Sequence, residues 1–255
     1  MEPLYEILNF SEPAFNGLVL VFMRIGAISM LLPGFGEQSI PMRIRLVITL
    51  SFTAIVWPVV SPQLVLTEME LIFAMIAEAA IGMMIGLSIR LMVMALQLAG
   101  SIAAQSTSIS QIAGANTTPD PLPAVGNLLV MAGLALVLAG GLHIKAVMAM
   151  IQSFEVLPIG QLPIGSEVAA WGVSRIASVF ALAIGMATPF IVASFAYNIG
   201  LGAINRAMPS LMVAFVGAPA ITAGAIIILM LASPVILMFW SGQMDAVLFN
   251  PLGTP

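Results

Sequence analysis

No cysteine and a single histidine, His143, occur among the 255 residues. Disulfides, thiolate chemistry and cysteine-based metal sites are thereby excluded, and one histidine cannot head a metal shell of the usual type. Charge is nearly as scarce. Seven basic and eleven acidic residues make up 7% of the chain, where a soluble domain carries about a quarter. So few charges cannot furnish a polar shell, and the formal net charge of −4 describes loops rather than a basic footprint for nucleic acid. Also missing are the signatures G-x-x-x-x-G-K-[ST], G-x-G-x-x-G, H-E-x-x-H and G-x-S-x-G. With no phosphate cradle, dinucleotide fingerprint, zinc pair or nucleophile elbow, neither an enzyme nor a cofactor is expected.

What the sequence does have is apolar length. Hydrophobic residues make up 61% of it, and the mean hydropathy is +1.14. Runs at 14–32, 42–60, 70–104, 124–156, 168–205 and 211–240 each reach the roughly 20 residues that span a hydrocarbon layer. The expected fold is therefore all-α and integral to a membrane, with about six helices. Three runs exceed one upright crossing, so we expect them to tilt or break. The candidate breaks are Arg90, then Gly140-Gly141 beside His143 and Lys145, then Pro189, Pro219 and Pro234. The opening MEPLYEILNFSEP carries Glu2, Glu6 and Glu12 without a basic residue, the wrong sign for a signal peptide.

Loop charges suggest an orientation. Arg43 and Arg45, in the first connection, and Arg206, in the last, mark cytoplasmic loops under the positive-inside rule. Glu68, Glu70, Glu155, Glu167 and Asp245 then fall outside with both termini. The duplicated LPIGQLPIG at 157–165 reads as paired turns closing an external hairpin. The uncharged Ser, Thr, Asn and Gln of STSISQIAGANTTPDPLP, 106–123, suit either a linker or a loop tucked into a narrow aqueous space.

Arg24, Glu78 and Arg90 are charges within apolar runs. At that depth a charge costs several kcal/mol unless paired or hydrated. Arg24 and Glu78 are natural partners, as a proton relay or as a buried pair that fixes helix register. We favour the pair, because Glu78 stands nearly alone. Gly82 and Gly86 form GMMIG, a spacing that lets two helix backbones approach, and Gly202 has the same packing reading. The 19 methionines, Met83 and Met84 among them, read as apolar filler.

Several features in order resemble the FliR family of the flagellar type III export apparatus. They are Arg24-Ile25-Gly26, then Pro33-Gly34-Phe35, Pro41, Arg43 and Arg45, then Glu78 with Gly82 and Gly86, then Gln97, Ala99 and Gly100. Asp120-Pro121 follows, then SFEVLPIG at 153–160, and finally Pro189, Gly202, Arg206, Pro209, Phe215, Gly217 and Pro219. Ser210-Leu211-Met212 departs from the Gln- and Asn-containing run typical of that position.

The resemblance implies a multi-pass subunit of a hetero-oligomeric gate in the bacterial inner membrane, at the flagellar basal body. Its helices would be arranged as helical hairpins, with FliP, FliQ, FlhB and FlhA homologues as partners and unfolded flagellar proteins as cargo. It implies one membrane domain, 1–255, in three parts: FliP-like early helices over 1–123, a middle helical hairpin over 124–165 and a FliQ-like final hairpin over 166–255. It also implies that the loop 105–123 plugs the closed pore, which assigns Ser106, Ser108, Ser110, Gln111, Asn116, Thr117 and Asp120 to the plug. Two other readings stand beside this one. They are the related subunit of a virulence injectisome and a self-sufficient secondary transporter, for which the inverted repeats that would support it are not evident.

Overall fold

The structure is a computed structural model that describes residues 2–37, 39–60, 64, 66–107, 124–208 and 213–253. Among them there are seven helices and no strand: α1 (Glu2–Leu31), α2 (Met42–Val60), α3 (Glu68–Ser106), α4 (Ala124–Ala139), α5 (Leu142–Val156), α6 (Gly165–Ala207) and α7 (Val213–Phe249). Five have stretches long and apolar enough to cross a membrane, and the bent pair α4–α5 supplies a sixth. At 1.5 Å per residue, the 43 residues of α6 run about 65 Å, twice a hydrocarbon core.

Of the expected breaks, one occurs. Gly141 takes φ +81°, and α4 and α5 meet there at 75°. The segment expected to be a middle hairpin thus holds two helices with a sharp bend between them. α3 continues unbroken through Arg90, as α6 does through Pro189 and α7 through Pro219 and Pro234. A missing donor costs one bond of many in so long a helix, and arginine is a good helix former.

Helix ends follow local chemistry. Pro41 ends the first connection, and its carbonyl accepts from the Ile44 and Arg45 amides to open α2. Arg43 and Arg45 consequently lie in the first turn of α2 rather than in the loop. Thr67 and Glu70 make a reciprocal capping box at the start of α3: the Thr67 amide and hydroxyl donate to Glu70 Oε2, and the Glu70 amide donates to Thr67 Oγ1.

The chain divides into two compact units, and neither is continuous in sequence. The first comprises Met1–Leu91, Leu138–Arg175 and Met244–Pro255. In it α1 packs on α2, and α2 on α5. Its core joins Leu20, Val21, Ile25 and Ile28 from one face of α1, with Leu32 just past its end, to Ile81, Ile85 and Ile89 from one face of α3, the i, i+3/i+4 spacing of a buried helix stripe. Phe35, in the first connection, meets Phe52 of α2 edge-on with centroids 5.8 Å apart.

The second unit comprises Met92–Val137 and Ile176–Gln243. There α3 and α4 touch backbone to backbone at Gly100 and Gly126. Trp240, fully buried, donates its indole N–H to the Met92 carbonyl at 2.7 Å. Gly133 leaves room for that ring, since a Cβ there would stand 3.1 Å from Trp240 Cζ3.

Candidate functional site

The strongest convergence of polar groups lies in the first unit. Gly82 and Gly86 create it. A Cβ at Gly82 would press on the Arg24 carbonyl and stand 2.8 Å from Ala27 Cβ, and one at Gly86 would stand 2.8 Å from Leu31 Cβ. Without side chains at these two positions, α1 lies directly on α3. Glu78, one turn before Gly82 on the same face, is thereby brought to Arg24.

The two charges form a forked pair. Arg24 donates from Nε to Glu78 Oε2 at 2.6 Å and from an NH₂ nitrogen to Oε1 at 3.1 Å. Both side chains are 0% exposed. The other terminal nitrogen of Arg24 donates to the Ser153 carbonyl at 2.8 Å and to Ser153 Oγ at 3.4 Å. The Phe154 ring lies 4.0 Å from the guanidinium carbon, a cation–π contact. On the far side, the Gly160 amide donates to Glu78 Oε1 at 2.9 Å. Gly160 has φ +80°, a backbone state that L side chains rarely adopt.

Three positions, Ser153 and Phe154 of α5 and Gly160 of the turn after it, therefore close around one ion pair that joins α1 to α3. Such a site can cross-link elements. A buried pair gains from its Coulomb attraction only when its remaining donors and acceptors are satisfied, and breaking it strands a charge in a poor solvent. It is poorly suited to relaying protons, which takes a succession of titratable groups. Among the described residues no cluster of three or more His, Asp or Glu exists.

A second convergence fixes the C-terminal segment in the same unit. The Pro251 carbonyl accepts from Ser88 Oγ of α3 at 2.9 Å and from Arg175 of α6 at 3.1 Å. Arg175 also donates to the Gly253 carbonyl at 2.7 Å. Arg175 is 4% exposed, and the charge pattern did not single it out. Its signal is that of any basic residue inside an apolar run.

The remaining expected site residues are placed as follows. Arg90 is not buried. It is 35% exposed and pairs with Glu37 of the first connection, because that loop folds back over α3 with its carboxylate. At Gly202 a Cβ would meet none of the described residues within 4 Å. Arg206 lies in the last turn of α6, and His143 is exposed in the first turn of α5. Of the plug residues only Ser106 is described. It ends α3, its hydroxyl donates to the Ala103 carbonyl, and its own carbonyl accepts from Ser194 Oγ of α6. Ser108, Ser110, Gln111, Asn116, Thr117 and Asp120 lie outside the described residues.

The model of the family "Bacterial export proteins, family 1" matches residues 15–247 of this chain. Among curated proteins, the flagellar biosynthetic protein FliR of Caulobacter vibrioides is 34% identical, over 88% of this chain and 91% of its own. The FliR of Bacillus subtilis is 27% identical over 87% and 88%, and that of Escherichia coli 26% over 82% of each.

Proposed function

Because the chain belongs to the FliR family of bacterial export proteins and is a multi-pass membrane subunit of the flagellar export apparatus, we propose that it forms part of the pore itself. In this reading it is one member of a hetero-oligomer with FliP, FliQ, FlhB and FlhA homologues in the inner membrane. Unfolded flagellar proteins pass through, and the chain does no chemistry of its own. The observation that carries the proposal is the likeness to FliR proteins over 87–88% of this chain and 88–91% of theirs. All the relatives compared are flagellar by name, which favours this reading over the injectisome subunit.

Two features fit a subunit inside a larger assembly. α6 and α7 leave Phe180, Phe195, Ile226, Met230, Leu231 and Met238 exposed in the isolated chain, an apolar surface that lipid or neighbouring helices must cover. Gly202, where a Cβ would meet none of the described residues, leaves room for a helix from another subunit.

The plug role of 106–123 and the three-part division into FliP-like, middle and FliQ-like segments belong to the same proposal. Its test is purification in mild detergent followed by mass determination. A discrete hetero-oligomer containing FliP and FliQ homologues is expected, and a monomer or homodimer would overturn it. Deleting 109–121 while keeping Ser106 should leave assembly intact and make the membrane permeable to small ions. Unchanged permeability would reduce the segment to a linker.

A further inference from the structure

A cleft of about 340 Å³ opens between α1, α2 and α3 in the first unit, walled by Phe22, Gly26, Met30, Leu46, Thr49 and Ala79. Its lining is almost wholly apolar surface; three polar residues contribute, Ser29, Arg45 and Thr49, and Thr49 turns its methyl carbon toward Gly26. The Ser29 hydroxyl is buried, the residue being 4% exposed, and has no hydrogen-bond partner among the described residues. A buried hydroxyl without a partner costs free energy, so one is to be expected from whatever fills the cleft. Arg45 donates from Nε to the Ile40 carbonyl at 3.1 Å, which steadies the side chain and leaves its terminal nitrogens for a further acceptor. No carboxylate lines the cleft, and the nearby Glu37 is engaged by Arg90.

Ser29 and Arg45 sit at one end. Ser29 is in the last turn of α1 and Arg45 in the first turn of α2. From Met30 the apolar wall descends along α1 to Phe22, about 12 Å at the helical rise. A charge at the membrane surface, a polar donor just beneath it and an apolar slot below match the order of groups in a phospholipid: phosphate, ester, hydrocarbon. An anionic headgroup is favoured, because the arginines at this end, Arg43 and Arg45, meet no acidic residue in the slot.

We propose that this cleft binds one anionic phospholipid, with its phosphate against Arg45, an ester oxygen accepting from Ser29, and an acyl chain lying along Gly26 between α1 and α2. The proposal requires only that the chain spans a membrane, so it stands or falls apart from the pore assignment. Gly26 provides a clean probe. Among the described residues a Cβ there would meet Thr49 Cγ2 at an ordinary 3.7 Å and no backbone atom, so a side chain at this position starts into the slot from an unstrained Cβ.

The test uses the full chain co-purified with its natural partners and reconstituted into vesicles of phosphatidylglycerol and phosphatidylethanolamine. One of the two lipids at a time carries a photoactivatable group on its acyl chain. Labelling should concentrate on residues 22–30 and 42–49 and fall in Gly26→Leu to the level of other lipid-exposed helices. Arg45→Gln should lower the preference for phosphatidylglycerol over phosphatidylethanolamine about fivefold. If Gly26→Leu does not accumulate, Ser29→Ala, which removes one oxygen, carries the test with Arg45→Gln through weaker labelling of the cleft. Labelling spread evenly over all exposed helices, or unchanged in these variants, would overturn the proposal. So would a cross-link from Met23 to another protein chain, which would give the slot to a protein helix.

Discussion

The backbone amide of Gly160 donates to the Glu78 carboxylate at 2.9 Å, 82 residues away in sequence. The turn after α5 is therefore tied to the same ion pair that joins α1 to α3. One buried carboxylate thus sets the register of two helices and holds the start of the connection to α6.

Removing one member of this pair should cost far more than removing both. Glu78→Ala leaves the Arg24 guanidinium buried with no counter-charge, and a loss of about 3–5 kcal/mol is expected. Arg24→Leu combined with Glu78→Leu should recover much of it. Apparent melting in detergent, followed by tryptophan fluorescence, measures both. A single variant as stable as the starting protein would show that the pair does not hold the fold.

Packing at the α1–α3 contact should tolerate no side chain. Gly82→Val places atoms against the Arg24 backbone and Ala27, and overpacking of this kind costs about 1–3 kcal/mol. Incorporation into the export complex, read by co-purification, should fall with it. Gly185→Val, in open space on α6, is the matched control and should leave the chain's own stability within about 0.5 kcal/mol.

Gly160→Ala tests the turn. At φ +80° an L side chain is strained by about 1–2 kcal/mol, and the amide that donates to Glu78 shifts as well. Gly165→Ala, at the first position of α6 with nothing within reach, should be neutral. Paired melting curves decide the matter, and equal shifts for the two would remove the turn from the network.

The Arg90–Glu37 pair should behave differently, because both groups are about a third exposed. Arg90→Gln should cost no more than about 1 kcal/mol, and the cost should shrink as salt rises. A salt-independent loss as large as that of Glu78→Ala would mean that this pair is desolvated in the assembled protein.

Much of this was legible in the chain itself. Sustained apolar runs without charge announced membrane helices, because only a helix satisfies every backbone group without water. Gly140-Gly141 announced the bend, since the left-handed conformation there is one that glycine adopts freely. Reading Glu70 only as a loop charge misses the cap of α3 that it makes with Thr67, although the T-x-x-E spacing is local. The sequence pattern misled at Pro189 and Arg90, where local tendencies were outweighed by the many other backbone bonds of a long helix. At Gly202 the packing reading finds no partner among the described residues, so any helix it receives would come from outside them.

By itself the sequence determined the solvent, the helix lengths and the family, because these depend on composition and residue order alone. It marked Arg24 and Glu78 as costly, and SFEVLPIG as a recognisable block, without connecting them. Only the tertiary structure decided that Ser153, Phe154 and Gly160 from that block close around the pair. The physical reason is distance along the chain. Arg24 and Ser153 stand 129 residues apart, and no local rule carries information that far; it is the close approach of α1 to α3 over Gly82 and Gly86 that brings the charges together and leaves the carboxylate to be met by a turn.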